Sequence, residues 1–177
     1  MSDERVSVFI DGSNLYKCMK HEFGKAGIDF EKFCCRLVAE RKFIRAYYYN
    51  ASLPQGTTES ERQAFESQQK FLERIRHINY FELRLGRLEH RPNGVLVEKG
   101  VDIKIAVDML RLAHNNAYDT AILVSGDGDF ADAIQAVKDM GKHVENASLR
   151  TGESYHLKQT CDRFIAIDSD FLAGLWL

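Results

Sequence analysis

The sequence predicts an α/β fold built on a mainly parallel sheet. Two near-continuous apolar runs, VSVFI at 6–10 and AILV at 121–124, read as strands buried on both faces, the habit of parallel strands covered by helices. Segments with helical periodicity separate most of the strand-like runs, the alternation that marks α/β topology. At 177 residues, with 45% hydrophobic and 28% charged side chains, the chain suits a single domain, expected to span residues 1–177.

The elements follow in order. The first strand is Val6–Ile10, after which Ser13 or Asn14 can cap a helix through Leu15, Tyr16, Met19 and Phe23. Gly24 and Gly27 break it, and Phe30, Phe33, Leu37 and Val38 mark a second helix. Lys42–Ala51, rich in aromatics, is the next strand, and Glu59–Ile78 is strongly helical. In Tyr80–Arg91, Phe81, Leu83 and Leu85 alternate with Glu82 and Arg84, which predicts a half-exposed strand. Pro92-Asn93-Gly94 then reads as a hairpin tip. Val101–His114 is a largely apolar helix, expected to be buried and to end at Asn115. Thr120–Gly126 is a buried strand, Phe130–Met140 a helix stopped by Gly141, and Lys142–Leu149 another strand. A short helix around Glu153–Cys161 leads to a last edge strand in Arg163–Asp168.

Composition narrows the function classes. The net charge of −2 gives no global attraction to nucleic acid or membrane, so any such contact has to come from a local patch. The N-terminus lacks the basic-then-apolar pattern of a secretory signal, and no apolar stretch approaches the roughly 20 residues that span a bilayer. The four cysteines form no C-x-x-C pair and lie beside no histidines at zinc spacing, so free thiols in a cytoplasmic setting are expected.

The first strand ends abruptly on a carboxylate, Asp11, and the strand near 120 is followed by Asp127 and Asp129. Open parallel sheets bind ligands beyond the C-terminal ends of their strands, where strand order reverses. A crossover helix runs antiparallel to its strands, so Asp102, at the start of the 101–114 helix, is expected at the same rim. Four carboxylates crowded together repel one another, and a divalent cation relieves that cost. Oxygen-only ligands suit Mg²⁺ or Mn²⁺, ions that serve phosphoryl chemistry by activating water and stabilising charge on phosphate. Structural readings stand beside these. Asp11 can be a turn residue, Asp127 or Asp129 a helix N-cap, and Asp102 a partner for the helix dipole. Asn14 either caps a helix or orients water or phosphate, and Ser125 either packs or hydrogen-bonds a carboxylate. Asp108 lies about 120° around the helix from Asp102 and reads first as an ion-pair partner of Lys104 or Arg111, with a place in the metal site as the lesser alternative.

The runs VFIDGSNLY, KGVDIKIAVDML and AILVSGDGDF, in this order, resemble the signature of NYN domains, in the LabA-like branch of the PIN-like nuclease superfamily. The resemblance covers about residues 5–150 and carries little motif between 50 and 95. It implies a PIN-like three-layer α/β/α sandwich and metal-dependent cleavage of RNA. The family's first-strand Asp falls on Asp11, its Asn on Asn14, the Asp opening the central helix on Asp102, and the SGDGD acids on Asp127 and Asp129.

A nucleic acid needs a positive surface. Residues 62–99 hold eight Lys or Arg against five Glu, a net +3 that leaves the rest of the chain at −5. Arg84, Arg87 and Arg91 are the candidates to position phosphates, with Lys99 as a further one, and the competing reading is a solvated helix face with internal salt bridges. Tyr47, Tyr48 and Tyr49 can stack on bases but read better as core residues. The apolar tail FLAGLWL packs either on a second copy of the chain, giving a homodimer, or on the chain's own sheet. The leading reading is therefore a Mg²⁺- or Mn²⁺-dependent ribonuclease in which Asp11, Asp102, Asp127 and Asp129 hold metal and water while Asn14 and Ser125 tune the site. The alternative is a non-catalytic regulator that keeps the crevice and binds RNA or protein. A haloacid-dehalogenase-type phosphatase would need a second Asp where Ser13 stands.

Overall fold

In the computed structural model the described residues are 3–90 and 96–177, with backbone alone described at 87–90 and 96–99. The chain runs β1 (Arg5–Asp11), α1 (Gly12–Phe23), α2 (Phe30–Val38), β2 (Lys42–Ala51), α3 (Glu59–Arg76), β3 (Phe81–His90), β4 (Leu96–Lys99), α4 (Val101–His114), β5 (Thr120–Val124), α5 (Ala131–Asp139), β6 (His143–Ser148), α6 (Tyr155–Thr160) and β7 (Arg163–Ala166). The sheet order is β4-β3-β2-β1-β5-β6-β7. Six strands are parallel, and β4 returns antiparallel to β3. The expected α/β/α sandwich with a mainly parallel sheet is what forms.

Strand alternation splits the core in two. On one face Val8, Ile10 and Tyr48 meet α1, α2 and α3 through Leu15, Phe33 and Leu72. On the other, Phe9, Tyr47 and Tyr49 meet α4, α5 and α6 through Ile105, Met109, Ile134 and Leu157. The three consecutive tyrosines are core residues, as their position in a strand favoured. Chain order reverses at β1. From there the chain winds outward through β2 and β3, then returns to the other side of β1 as β5. This switch point brings the C-terminal ends of β1 and β5 side by side, with Ile10 opposite Val124.

Several local expectations change. Asp11, rather than Ser13 or Asn14, caps α1: its Oδ1 accepts from Asn14 N at 3.0 Å. The helix thus begins on the strand's last residue, and Gly12 has to follow, because a Cβ there would lie 2.4 Å from the Tyr48 ring. α4 has the predicted bounds but is not wholly buried, since Ile103 is 69% and Val107 51% exposed. Its outer face carries apolar residues that no packing explains. The Pro92-Asn93-Gly94 turn lies outside the described residues, although the antiparallel pairing of Arg87 with Lys99 fits a hairpin. The C-terminal tail packs on the chain itself: Leu172 and Leu175 join the core, and the Trp176 ring meets Phe23 edge-on at 5.6 Å. This removes the tail as an argument for a homodimer.

The other edge of the sheet is held by ions. Buried Glu145 accepts two bonds from Arg41, at 2.9 and 3.0 Å. Asp119 takes three from Arg5, through its backbone N (2.8 Å), Nε (3.1 Å) and Nη2 (2.7 Å). Cys18, Cys34 and Cys161 are buried free thiols and Cys35 is an exposed one. Among the described residues no helix is long and apolar enough to cross a membrane.

Candidate active site

Asp11 closes β1 at the switch point and is 5% exposed, an unusual place for a carboxylate. It survives there because both oxygens are engaged. Oδ1 accepts from Asn14 N, and Oδ2 accepts from Ser125 Oγ at 3.1 Å. Ser125, itself buried, is a hub: its Oγ also accepts from Asp127 N at 3.2 Å. Asp127 Oδ1 in turn takes Asp129 N at 3.0 Å, capping the 3₁₀ turn Gly128–Phe130. The capping reading of Asp127 is therefore correct, and it coexists with a place in this chain of bonds. Asn14 Oδ1 accepts from Gly126 N at 3.1 Å, so α1 is tied directly to the loop after β5.

Asp102 lies in the first turn of α4. The crossover argument placed it at this rim, and the register agrees by a different route. β3 passes beyond the end of β2, where Gly86 pairs with Ala51, and β4 comes back so that Lys99 pairs with Arg87. α4 therefore starts at the C-terminal edge although it follows an antiparallel strand. Asp102 and Asp129 are exposed there and Asp127 is half-buried.

The structure thus brings Asp11, Asn14, Ser125 and Asp127 into one bonded cluster. It does not draw the four acids into a ready-made cage: among the described residues no group of three or more His, Cys, Asp or Glu is gathered to hold a metal ion. Both oxygens of Asp11 and Oδ1 of Asp127 instead take hydroxyl and backbone donors.

Asp108 forms the expected ion pair with Arg111. It pairs with Arg111 at 2.9 Å and accepts from Tyr49 Oη at 2.9 Å, while Lys104 donates instead to the Leu85 carbonyl. Arg84 is engaged in the same network. It bonds Glu82 at 2.6 Å, stands 3.9 Å from Asp108 and lies over the Tyr47 ring, a tethered place for a phosphate-seeking side chain. The side chains of Arg87 and Lys99, and all of Arg91, lie outside the described residues.

Three supporting features escaped the sequence reading. A Cβ on Gly126 would lie 1.5 Å from the Gly152 carbonyl oxygen, and one on Gly152 would lie 2.5 Å from Cys18 Sγ. The loop after β5, the loop after β6 and α1 therefore stack with no spare room. Asn146, wholly buried, donates from Nδ2 to the carbonyls of Leu123 (3.1 Å) and Ser125 (2.8 Å), holding the end of β5. Its signal was the run of polar residues inside a strand flanked on both sides, which only a hydrogen-bonding role explains. Tyr48, buried behind Gly12, has its hydroxyl pKa pushed up by burial and so stays neutral beside Asp11.

Comparison with known proteins agrees with this architecture. A solved structure from Vibrio parahaemolyticus, of a protein of unknown function, superposes with a TM-score of 0.76 at 25% identity, covering 97% of this chain and 98% of that one. The low amplitude and bright protein LabA of Synechococcus elongatus is 26% identical over 168 residues, which is 93% of this chain and 84% of that protein. An uncharacterized protein of Methanocaldococcus jannaschii is 37% identical over 71 residues, 40% of this chain and 30% of that one. The NYN domain family model matches residues 5–168, and with the strand-end acids, the switch-point site and the parallel sheet in place, the chain belongs to the NYN domain family.

Proposed function

We propose that this single domain is a metal-dependent ribonuclease, hydrolysing RNA phosphodiesters at the edge marked by Asp11. The observation that carries the reading is a buried carboxylate at the switch point, fixed on both oxygens, with three more acids on the same edge. The donor set suits Mg²⁺ or Mn²⁺. It offers oxygens and no imidazole, and Cys18 remains a thiol because burial and the nearby Asp11 push its pKa up. Mg²⁺ commonly takes one or two protein carboxylates and fills its shell with water and substrate phosphate, so a site where no three acids gather among the described residues fits it.

Asp11 and Asp127 would hold the ion, with Asp102 and Asp129 completing the acidic rim. Bound there, the cation supplies charge stabilisation on the phosphate and promotes water as nucleophile. Ser125 keeps Asp11 in one orientation. Asn14 locks α1 to the loop after β5 and leaves its Nδ2 to meet a phosphate oxygen. Nearby, Asp127 and Asp129 orient water.

The test is incubation of labelled mixed-sequence single-stranded RNA with Mg²⁺, Mn²⁺ or EDTA. Products with either metal and none in EDTA are expected, and intact RNA in every tube overturns the reading. The rival reading is a regulator that binds RNA or protein without cutting. RNA retained but never cut, in any metal, is its signature.

A further inference from the structure

A groove of about 890 Å³ runs between α1 and α3, beginning at Ser13 in the first turn of α1 and Asn50 near the C-terminal end of β2. Its size falls within the roughly 300–1,000 Å³ of ligand pockets. The floor is aromatic: Phe30 meets Tyr48 edge-on at 5.2 Å and Phe71 at 5.9 Å, and Tyr48 meets Phe71 at 5.7 Å. On one wall Gln68 donates to the Ala51 carbonyl at 3.0 Å and accepts from Leu53 N at 2.8 Å, fixing the end of β2 to α3. Lys17, Lys20 and Arg74 stand on the rim, and exposed Tyr16 adds a ring beside Lys20. Two acids share the rim, Glu31 and Asp29, the latter capping α2 through Lys32 N at 3.0 Å.

We infer that this groove takes a nucleobase of single-stranded RNA, one flanking the phosphodiester at the acidic edge, and so confers base preference at the cut. Three features select this occupant. The groove is continuous with the edge through Ser13, Tyr48 and Asn50. Over the buried Phe30 and Tyr48, half-buried Phe71 and exposed Tyr16 offer ring area to a flat base. Its rim, with Lys17, Lys20 and Arg74 against Asp29 and Glu31, has a net side-chain charge of +1 and suits a phosphate backbone better than the acidic edge, which needs a cation before it accepts one. The inference rests on the ribonuclease reading, and the experiment separates the two.

The probe is a single-stranded RNA of about ten nucleotides, a length within known single-strand site sizes, with 2-aminopurine at successive positions and Ca²⁺ in place of Mg²⁺. Wild type is compared with Ala64→Trp and Ser67→Trp, which fill the groove from exposed positions on α3, each checked for an unchanged Tm. The expected result is fluorescence quenching at one position, lost in both variants, with affinity about 10-fold weaker, as when one stacked base is removed. In Mg²⁺ the base preference at the cut is lost with it. Variants that fold, bind and cut with wild-type affinity and preference overturn the inference while the ribonuclease reading stands. RNA held in the groove but never cut supports the inference and removes the ribonuclease reading. No RNA binding by wild type overturns the inference.

Discussion

Replacing Gly126 by Ala tests whether the loops at the acidic edge are packed as tightly as the structure has them. The new Cβ would sit 1.5 Å from the Gly152 carbonyl oxygen, where a carbon and an oxygen in contact need roughly twice that. Neither loop can give way cheaply. Gly152 is backed by Cys18 Sγ, 2.5 Å from where its own Cβ would stand, and Gly126 N is bonded to Asn14. The cost therefore belongs at the top of the overpacking range, about 3 kcal/mol. For a chain of this size that lowers Tm by about 6–12 °C. Gly128→Ala is the matched control. Its Cβ would meet only the Ser154 hydroxyl at 3.0 Å, which a rotation relieves, so a loss under about 1 kcal/mol and a fall of at most about 4 °C are expected. Circular dichroism melts of the three proteins side by side decide the matter. Gly126→Ala melting within about 2 °C of wild type, or no lower than Gly128→Ala, would refute the packing argument.

Other outcomes follow from the same structure. Ser125→Ala removes a bond to the buried Asp11 carboxylate and strands Asp127 N, so a loss of about 1.5–3 kcal/mol in denaturant unfolding is expected, with Ser125→Thr partly restoring it. Glu145→Gln leaves Arg41 facing a neutral amide at the far edge, costing about 3–5 kcal/mol without moving the RNA cut site; a change in cut site would contradict the separation of the two edges. Asp119 has its pKa held down at about 2 by Arg5, so its contribution is present above the usual carboxylate range and is lost as pH falls through about 2. The Tm difference between wild type and Asp119→Asn should accordingly be widest near neutrality and narrow steadily as pH drops from 5 toward 2. A difference that grows with acid would reverse the sign of the argument.

The sequence was most informative where local pattern and tertiary environment agree. β2 at Lys42–Ala51 and α4 at Val101–His114 have the bounds that aromatic content and helical period assigned them. The acidic edge was legible because topology alone carries strand ends and crossover-helix starts to one rim. What pattern could not supply was orientation. Whether Asp11 faces other acids or a serine depends on where β5 lies, 114 residues away in sequence. Asp11 as cap of α1 was missed because Ser13 and Asn14 are equally good capping residue types and only the backbone angles choose. Arg84 has its tightest partner, Glu82, two residues away on its own strand face, so that pair was legible, whereas Asp108 arrives from α4 across the sheet face. Likewise, the exposure of Ile103 and Val107 is invisible to a reading in which apolar means buried.

The central claim is that chemistry at this edge depends on Asp11. The most direct measurement is the rate of single-stranded RNA cleavage in Mg²⁺ by wild type and Asp11→Asn, purified identically and with Tm recorded on the same samples. Asn keeps the shape: its Oδ1 can still accept from Asn14 N while its Nδ2 donates to Ser125 Oγ, so the fold should persist while the charge is gone. The account predicts a fall on the order of 100-fold or more with a folded variant. Cleavage by Asp11→Asn at the wild-type rate would place the chemistry elsewhere and contradict it.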